Sequence, residues 1–190
     1  MEAEKEGNVM TYAMWGGLYL GGWYIVRDLI ELGIYTNLVS FSGLCLLSLL
    51  TMVSLAVTLY LLMRSTNVYK SECLKADVSY FKVLNYGFCF FFFASMIYAV
   101  YIFLVLAFFK PDLIACQKDF IDVVLQQVPA EDEASQNMMI SVKDIFDKQF
   151  ALLMGITPKD FAMNALFDGT TLGFFLCLVT SIFLSKKTKE

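Results

Sequence analysis

The sequence predicts an all-α integral membrane protein: four transmembrane helices, with an extracytoplasmic amphipathic helical segment between the third and fourth. It reads as a single membrane domain over residues 1–190. Three observations predict this. The chain is 58% hydrophobic, against roughly 45–50% in an ordinary soluble domain. Its 14 basic and 18 acidic residues leave four charge-free stretches, Met10–Val26, Leu32–Met63, Val83–Phe109 and Gly169–Ser185. A long connection, 110–168, then carries apolar residues at helical spacing. A domain of this size has no core that could bury four uncharged segments of such length. A soluble enzyme, a nucleic-acid binder and a disordered chain are therefore excluded.

A helix needs about 20 mainly apolar residues to cross some 30 Å of hydrocarbon. Each charge-free stretch reaches that length with its flanks, which places spans near 11–30, 39–63, 83–109 and 165–185. Helices satisfy their own backbone hydrogen bonds, which lipid cannot do. A β-barrel would need alternating strands, and Leu44–Leu50 and Phe88–Phe93 are near-continuous apolar runs. The leading Met1-Glu2-Ala3-Glu4-Lys5-Glu6 is acidic, unlike a cleavable signal, so the first span is expected to be retained. Lysine and arginine set the orientation. With both termini cytoplasmic, the inner segments 1–9, 64–82 and 186–190 carry eight basic residues in 33, and the outer segments 27–31 and 110–168 carry six in 64.

The outer segment 110–164 opens on Lys110-Pro111-Asp112, where proline marks a break or a first turn. Leu113, Ile114, Ile121, Val124, Leu125 and Val128 then predict an amphipathic helix over about 112–128. Pro129-Ala130-Glu131-Asp132-Glu133 is a polar break. A second amphipathic run holds Val142, Ile145, Phe146, Phe150, Leu153 and Met154. Thr157-Pro158-Lys159-Asp160 predicts a helix start that runs on into the fourth span. Two such helices must lay their apolar faces on each other, on the membrane surface, on the ends of the spans or on a partner.

Gly17-Leu18-Tyr19-Leu20-Gly21 and Gly169-Thr170-Thr171-Leu172-Gly173 each place two glycines on one helix face, where backbones can approach closely. The expectation is that the first and fourth spans pack through Gly17, Gly21, Gly169 and Gly173. Charges gather at the expected outer boundary. Arg27, Asp28 and Glu31 end the first span, Lys110 and Asp112 follow the third, and Asp168 begins the fourth. Arg27 and Glu31 lie one turn apart and can pair. These six residues form a candidate polar rim for an anionic headgroup or ion, beside the plainer reading of an interfacial salt-bridge rim.

Signals of catalysis are nearly absent. The chain has no histidine, which removes the commonest general base and metal ligand. No cysteine pair has redox or zinc spacing, and Gly16–Gly22 lacks the lysine of a phosphate loop. No catalytic residue, cofactor or metal site is expected.

The chain resembles the domain-of-unknown-function family 4199, small four-span membrane proteins mostly from Bacteroidota. The features that carry the resemblance are Tyr12-Ala13-Met14-Trp15-Gly16-Gly17, the inner loop through Tyr80-Phe81-Lys82 into Tyr86-Gly87, and Lys110-Pro111-Asp112. The long helical outer segment and Gly173 before the Ser185-Lys186-Lys187 tail complete it. The resemblance implies a bacterial inner membrane and hints at a lipid-linked glycan pathway; it transfers no site residue. The acidic Glu131-Asp132-Glu133 departs from the pattern.

The function expected is that of a non-catalytic membrane accessory or subunit. The alternative is a small homo-oligomeric transporter or lipid carrier. Membrane lipids are the first expected partners, followed by another membrane protein or a second copy of the chain; nucleic acid is not expected. The purified protein should stay dispersed only with detergent, and tags at its two ends should be labelled from the same side of the membrane. Dispersal in plain buffer, or labelling from opposite sides, would overturn the assignment.

Overall fold

A computed structural model describes residues 2–74, 79–127 and 133–184, and these are almost entirely helical. The helices are α1 (Glu2–Asn37), α2 (Phe41–Tyr69), α3 (Tyr80–Leu104), α4 (Leu113–Gln126), α5 (Glu133–Met154) and α6 (Pro158–Leu184). Wider π-helical turns extend α2 over Lys70–Leu74 and α3 over Val105–Phe109. Lys75, Val128, most of the polar break at 129–132 and the lysine tail lie outside the described residues.

Three stretches among the described residues combine the length and hydropathy needed to cross a bilayer: Phe41–Leu74, Tyr80–Phe109 and Pro158–Leu184. Helix α1 has the length, at 36 residues. Its charge-free part is rich in glycine, tyrosine and tryptophan, which contribute little to hydropathy. The helices outrun the expected spans because a charge ends an apolar run without ending a helix. Arg64, expected in an inner connection, sits inside α2, since neither glycine nor proline interrupts residues 44–74.

α3 stops where expected. The Lys110 N–H closes the last wide turn on the Val105 carbonyl at 2.7 Å, and Pro111 follows. α6 also starts where expected. The Asp160 N–H donates to Thr157 Oγ1 at 3.2 Å, and the Thr157 hydroxyl donates back to the Asp160 carboxylate at 2.7 Å.

The chain forms two compact units, 1–25 with 54–101 and 162–190, and 26–53 with 102–161. In the first unit, α3 is the hub. The atoms that a Cβ at Gly17 would meet are Phe93 Cβ at 2.7 Å, the Phe90 carbonyl at 2.9 Å and the Ala94 nitrogen at 3.0 Å; at Gly21 the nearest is Ile97 Cβ at 2.9 Å. A Cβ at Gly173 would collide with Phe91, and one at Gly169 with the Ser95 hydroxyl. Gly87 of α3 completes this second seam, because a Cβ there would lie 2.5 Å from Cys177 Sγ of α6. The expected pairing of the first and fourth helices through these glycines is therefore corrected. Each glycine face closes on α3, α1 at Phe90–Ile97 and α6 at Gly87, Phe91 and Ser95. At about 100° per residue these two faces of α3 are about 110° apart, so one helix serves both.

α2 joins the same core through Leu62 and Tyr69, which are buried with Tyr86, Phe90 and Phe91. Tyr69 stacks on Tyr86 with ring centroids 4.6 Å apart, and Ser65 shares a hydrogen bond with the Tyr86 hydroxyl. Trp23 Nε1 donates to Ser54 Oγ at 3.1 Å. The last turns of α6 are tied down by Lys70 Nζ on the Leu184 carbonyl at 2.6 Å and by the Tyr80 hydroxyl on the Leu178 carbonyl at 3.2 Å.

In the second unit, α4 buries Phe120 and Val124 against Ile34, with Tyr35, Leu44 and Leu47 around them. The apolar face of α4 thus covers the end of α1 and the start of α2. Gly43, in the first turn of α2, lets the connecting turn fold back on the helix, because a Cβ there would strike the Leu38 carbonyl. Gln127 accepts the Phe41 N–H at 3.2 Å, which satisfies an orphan donor of the α2 N-terminus. α5 packs along α4. Lys118 bridges them, 2.6 Å from Asp122 and 2.9 Å from Asp147. Those two carboxylates hold its ammonium well above the ordinary lysine range.

Gly173→Leu should force Phe91 aside and cost about 1–3 kcal/mol through overpacking, lowering the unfolding temperature in detergent. Gly22 has nothing within 4 Å of an added Cβ, so Gly22→Ala should be neutral or stabilise by about 0.5–1 kcal/mol. Equal effects of the two substitutions would overturn the assignment of the seam.

Candidate functional site

A concavity of about 450 Å³ lies in the first unit, between α1 and α2. Tyr12, Trp15, Gly16 and Tyr19 line it from α1. Leu61, Arg64, Ser65 and Val68 line it from α2. Both sets follow the three-and-four spacing of one helix face, so the groove runs along two facing stripes. Gly16 is its closest point, since a Cβ there would meet Ser65 Oγ and the Phe90 ring. Trp15 and Tyr19 form an open wall, with 55% and 66% of their surface exposed.

The polar groups of the groove differ in how they are used. The Tyr12 hydroxyl donates to Glu72 Oε2, and Ser65 is engaged with Tyr86. Tyr12 also rests against Tyr69, with centroids 6.4 Å apart. Arg64 has no carboxylate within salt-bridge distance among the described residues. The groove therefore offers one cationic fork beside apolar and aromatic walls. Such a site is suited to an amphiphile with an anionic group.

The six rim residues expected from the sequence have three separate local settings. Arg27 pairs with Glu31, Nε to Oε1 at 2.6 Å, as the one-turn spacing predicts. Arg27, Asp28 and Glu31 all bear on Tyr35, whose hydroxyl is pushed up to about 12 by burial first and by Glu31 next. The Tyr35 ring meets Phe120 of α4 edge-on at 5.3 Å. This trio thus frames the packing of α4.

Lys110 and Asp112 make the turn into α4. The Lys110 carbonyl accepts the Leu113 N–H at 3.1 Å, and the Asp112 carbonyl accepts the Cys116 N–H at 2.9 Å. Asp168 is an exposed residue of α6 in the first unit. Among the described residues, no three histidine, cysteine, aspartate or glutamate side chains are grouped so as to hold a metal ion.

Sequence reasoning missed Arg64 and its groove. The available signal was Tyr12, Trp15 and Tyr19 at helical spacing around Gly16. Their partner stripe on α2 was hidden, because Arg64 ends a charge-free run and reads as the start of a loop.

No curated protein and no solved structure matches the chain. One family model does, over residues 11–186. That match takes in all of α2 to α5, the groove and both glycine seams, and the chain belongs to the protein family of unknown function DUF4199.

Proposed function

We propose that the protein is a non-catalytic subunit of the bacterial inner membrane, with α1 as a fourth span, both termini cytoplasmic and α4–α5 on the outer side. The contact of α1 with α3 supports the fourth span. Gly17 and Gly21 meet Phe90–Ile97, well inside the apolar stretch Tyr80–Phe109. A helix packed against the interior of a spanning helix shares its solvent. The outward face of α6 supports the bilayer setting, with Leu172, Phe175, Val179 and Phe183 all largely exposed. In water such a stripe would drive aggregation. The excess of basic residues in the inner segments supports the orientation.

The subunit role is carried by α5. Met138, Ile145 and Leu152 are 70%, 56% and 73% exposed. Each is seven residues from the next, which is two helical turns, so they form one apolar stripe of the kind that seats a partner helix. The occupant that fits is a helix of another membrane protein in the same envelope pathway. The groove on α1 and α2 favours a second reading, a small lipid carrier.

A photo-reactive residue placed at position 145 in native membranes should give one discrete adduct with another membrane protein. Leu152→Asp, on a folded background, should abolish it. Adducts with lipid alone, or only with a second copy of this chain, would overturn the subunit reading.

A further inference from the structure

We infer that the groove between α1 and α2 binds a glycerophospholipid drawn from the surrounding bilayer, with Arg64 holding the phosphate and Trp15 and Tyr19 lying along the glycerol and upper acyl chain. The inference rests on α1 and α2 both crossing the membrane; it does not depend on the subunit role.

Position is the first argument. Arg64 is the first charge after the uncharged run Leu32–Met63, and Tyr12 stands just inside the start of the run Met10–Val26. The groove therefore sits where an apolar stretch of each helix gives way to polar sequence. That is the level of lipid headgroups, where tryptophan and tyrosine rings also favour the boundary.

Chemistry is the second. An arginine at the edge of a hydrocarbon layer seeks an anion, and its planar fork matches two phosphate oxygens. Protein carboxylates do not fill that role, since Arg64 has no such partner among the described residues. Glu72, the nearby acid on the same face, is held by the Tyr12 hydroxyl.

Shape is the third. About 450 Å³ takes a headgroup and the top of one chain, and the exposed Trp15 and Tyr19 leave the remaining chain in the bilayer. A soluble metabolite would leave this apolar wall unmatched.

The protein has two tryptophans, so a Trp23→Phe background isolates Trp15 as a fluorescent reporter. Phosphatidylglycerol with brominated acyl chains, titrated in detergent micelles, should quench Trp15 saturably at one lipid per chain. Diacylglycerol with the same chains should quench only weakly, and inorganic phosphate should not displace the phospholipid. Arg64→Gln should weaken binding about tenfold, the loss expected for a charged hydrogen-bonded pair. Lys143→Gln on the exposed face of α5 should not change it.

If Arg64→Gln fails to fold, Arg64→Lys, which keeps the charge and loses the fork, should weaken binding measurably. Quenching that never saturates, equal quenching by diacylglycerol, displacement by inorganic phosphate, or unchanged binding in a folded Arg64 variant would each overturn the inference. A protein that stays dispersed without detergent would instead sink the membrane reading beneath it.

Discussion

At Gly17 and Gly21 on α1, and at Gly169 and Gly173 on α6, two helix backbones come so close to α3 that an added methyl group would not fit. Between helices in lipid there is little hydrophobic force, because the tails are as apolar as leucine; packing contact has to hold them. Contact is greatest when the backbone itself approaches. α3 answers with large side chains where α1 and α6 have none, Phe90, Phe91 and Phe93, and with Gly87 where α6 brings Cys177. The buried tyrosine and phenylalanine column of the first unit follows from that exchange of small for large.

The groove is a consequence of the same seams. Drawing α1 onto α3 at Gly16 and Gly17 brings its Tyr12, Trp15 and Tyr19 stripe alongside α2. Ser65 and Tyr69 are held to Tyr86, which sets the rotation of α2 and leaves Arg64 facing the gap. The Tyr12 and Ser65 hydroxyls are used internally, whereas Arg64 has no carboxylate partner among the described residues. The proposed phospholipid site rests on that one cation beside the aromatic walls of Trp15 and Tyr19.

In the second unit, charge works differently. Arg27 pairs with Glu31 one turn before Tyr35, whose ring packs on Phe120 of α4, and Lys118 spans α4 and α5 with two carboxylates. These groups fix how the amphipathic helices seat, while Met138, Ile145 and Leu152 stay uncovered on α5. The internal apolar face of α4 is satisfied by Ile34 and Leu47; the stripe on α5 is not. That contrast is why α5, rather than the rim, carries the proposed subunit role.

Sequence alone determined the helical class, the apolar stretches, the break at Pro111, the cap at Thr157 and the Arg27–Glu31 pair. Each of these depends on neighbours within one or two turns, and hydropathy, proline geometry and one-turn spacing act over that range. It also marked the four packing glycines, since small residues four apart share a face whatever they meet. Which helix they meet was decided only in three dimensions. A glycine pattern has no partner written into it, and α3 offers two faces about 110° apart that the phenylalanine run does not advertise. Arg64 was likewise decided by the fold, because a residue that ends an apolar run reads as loop until the helix is seen to continue through it and a second helix is seen to face it.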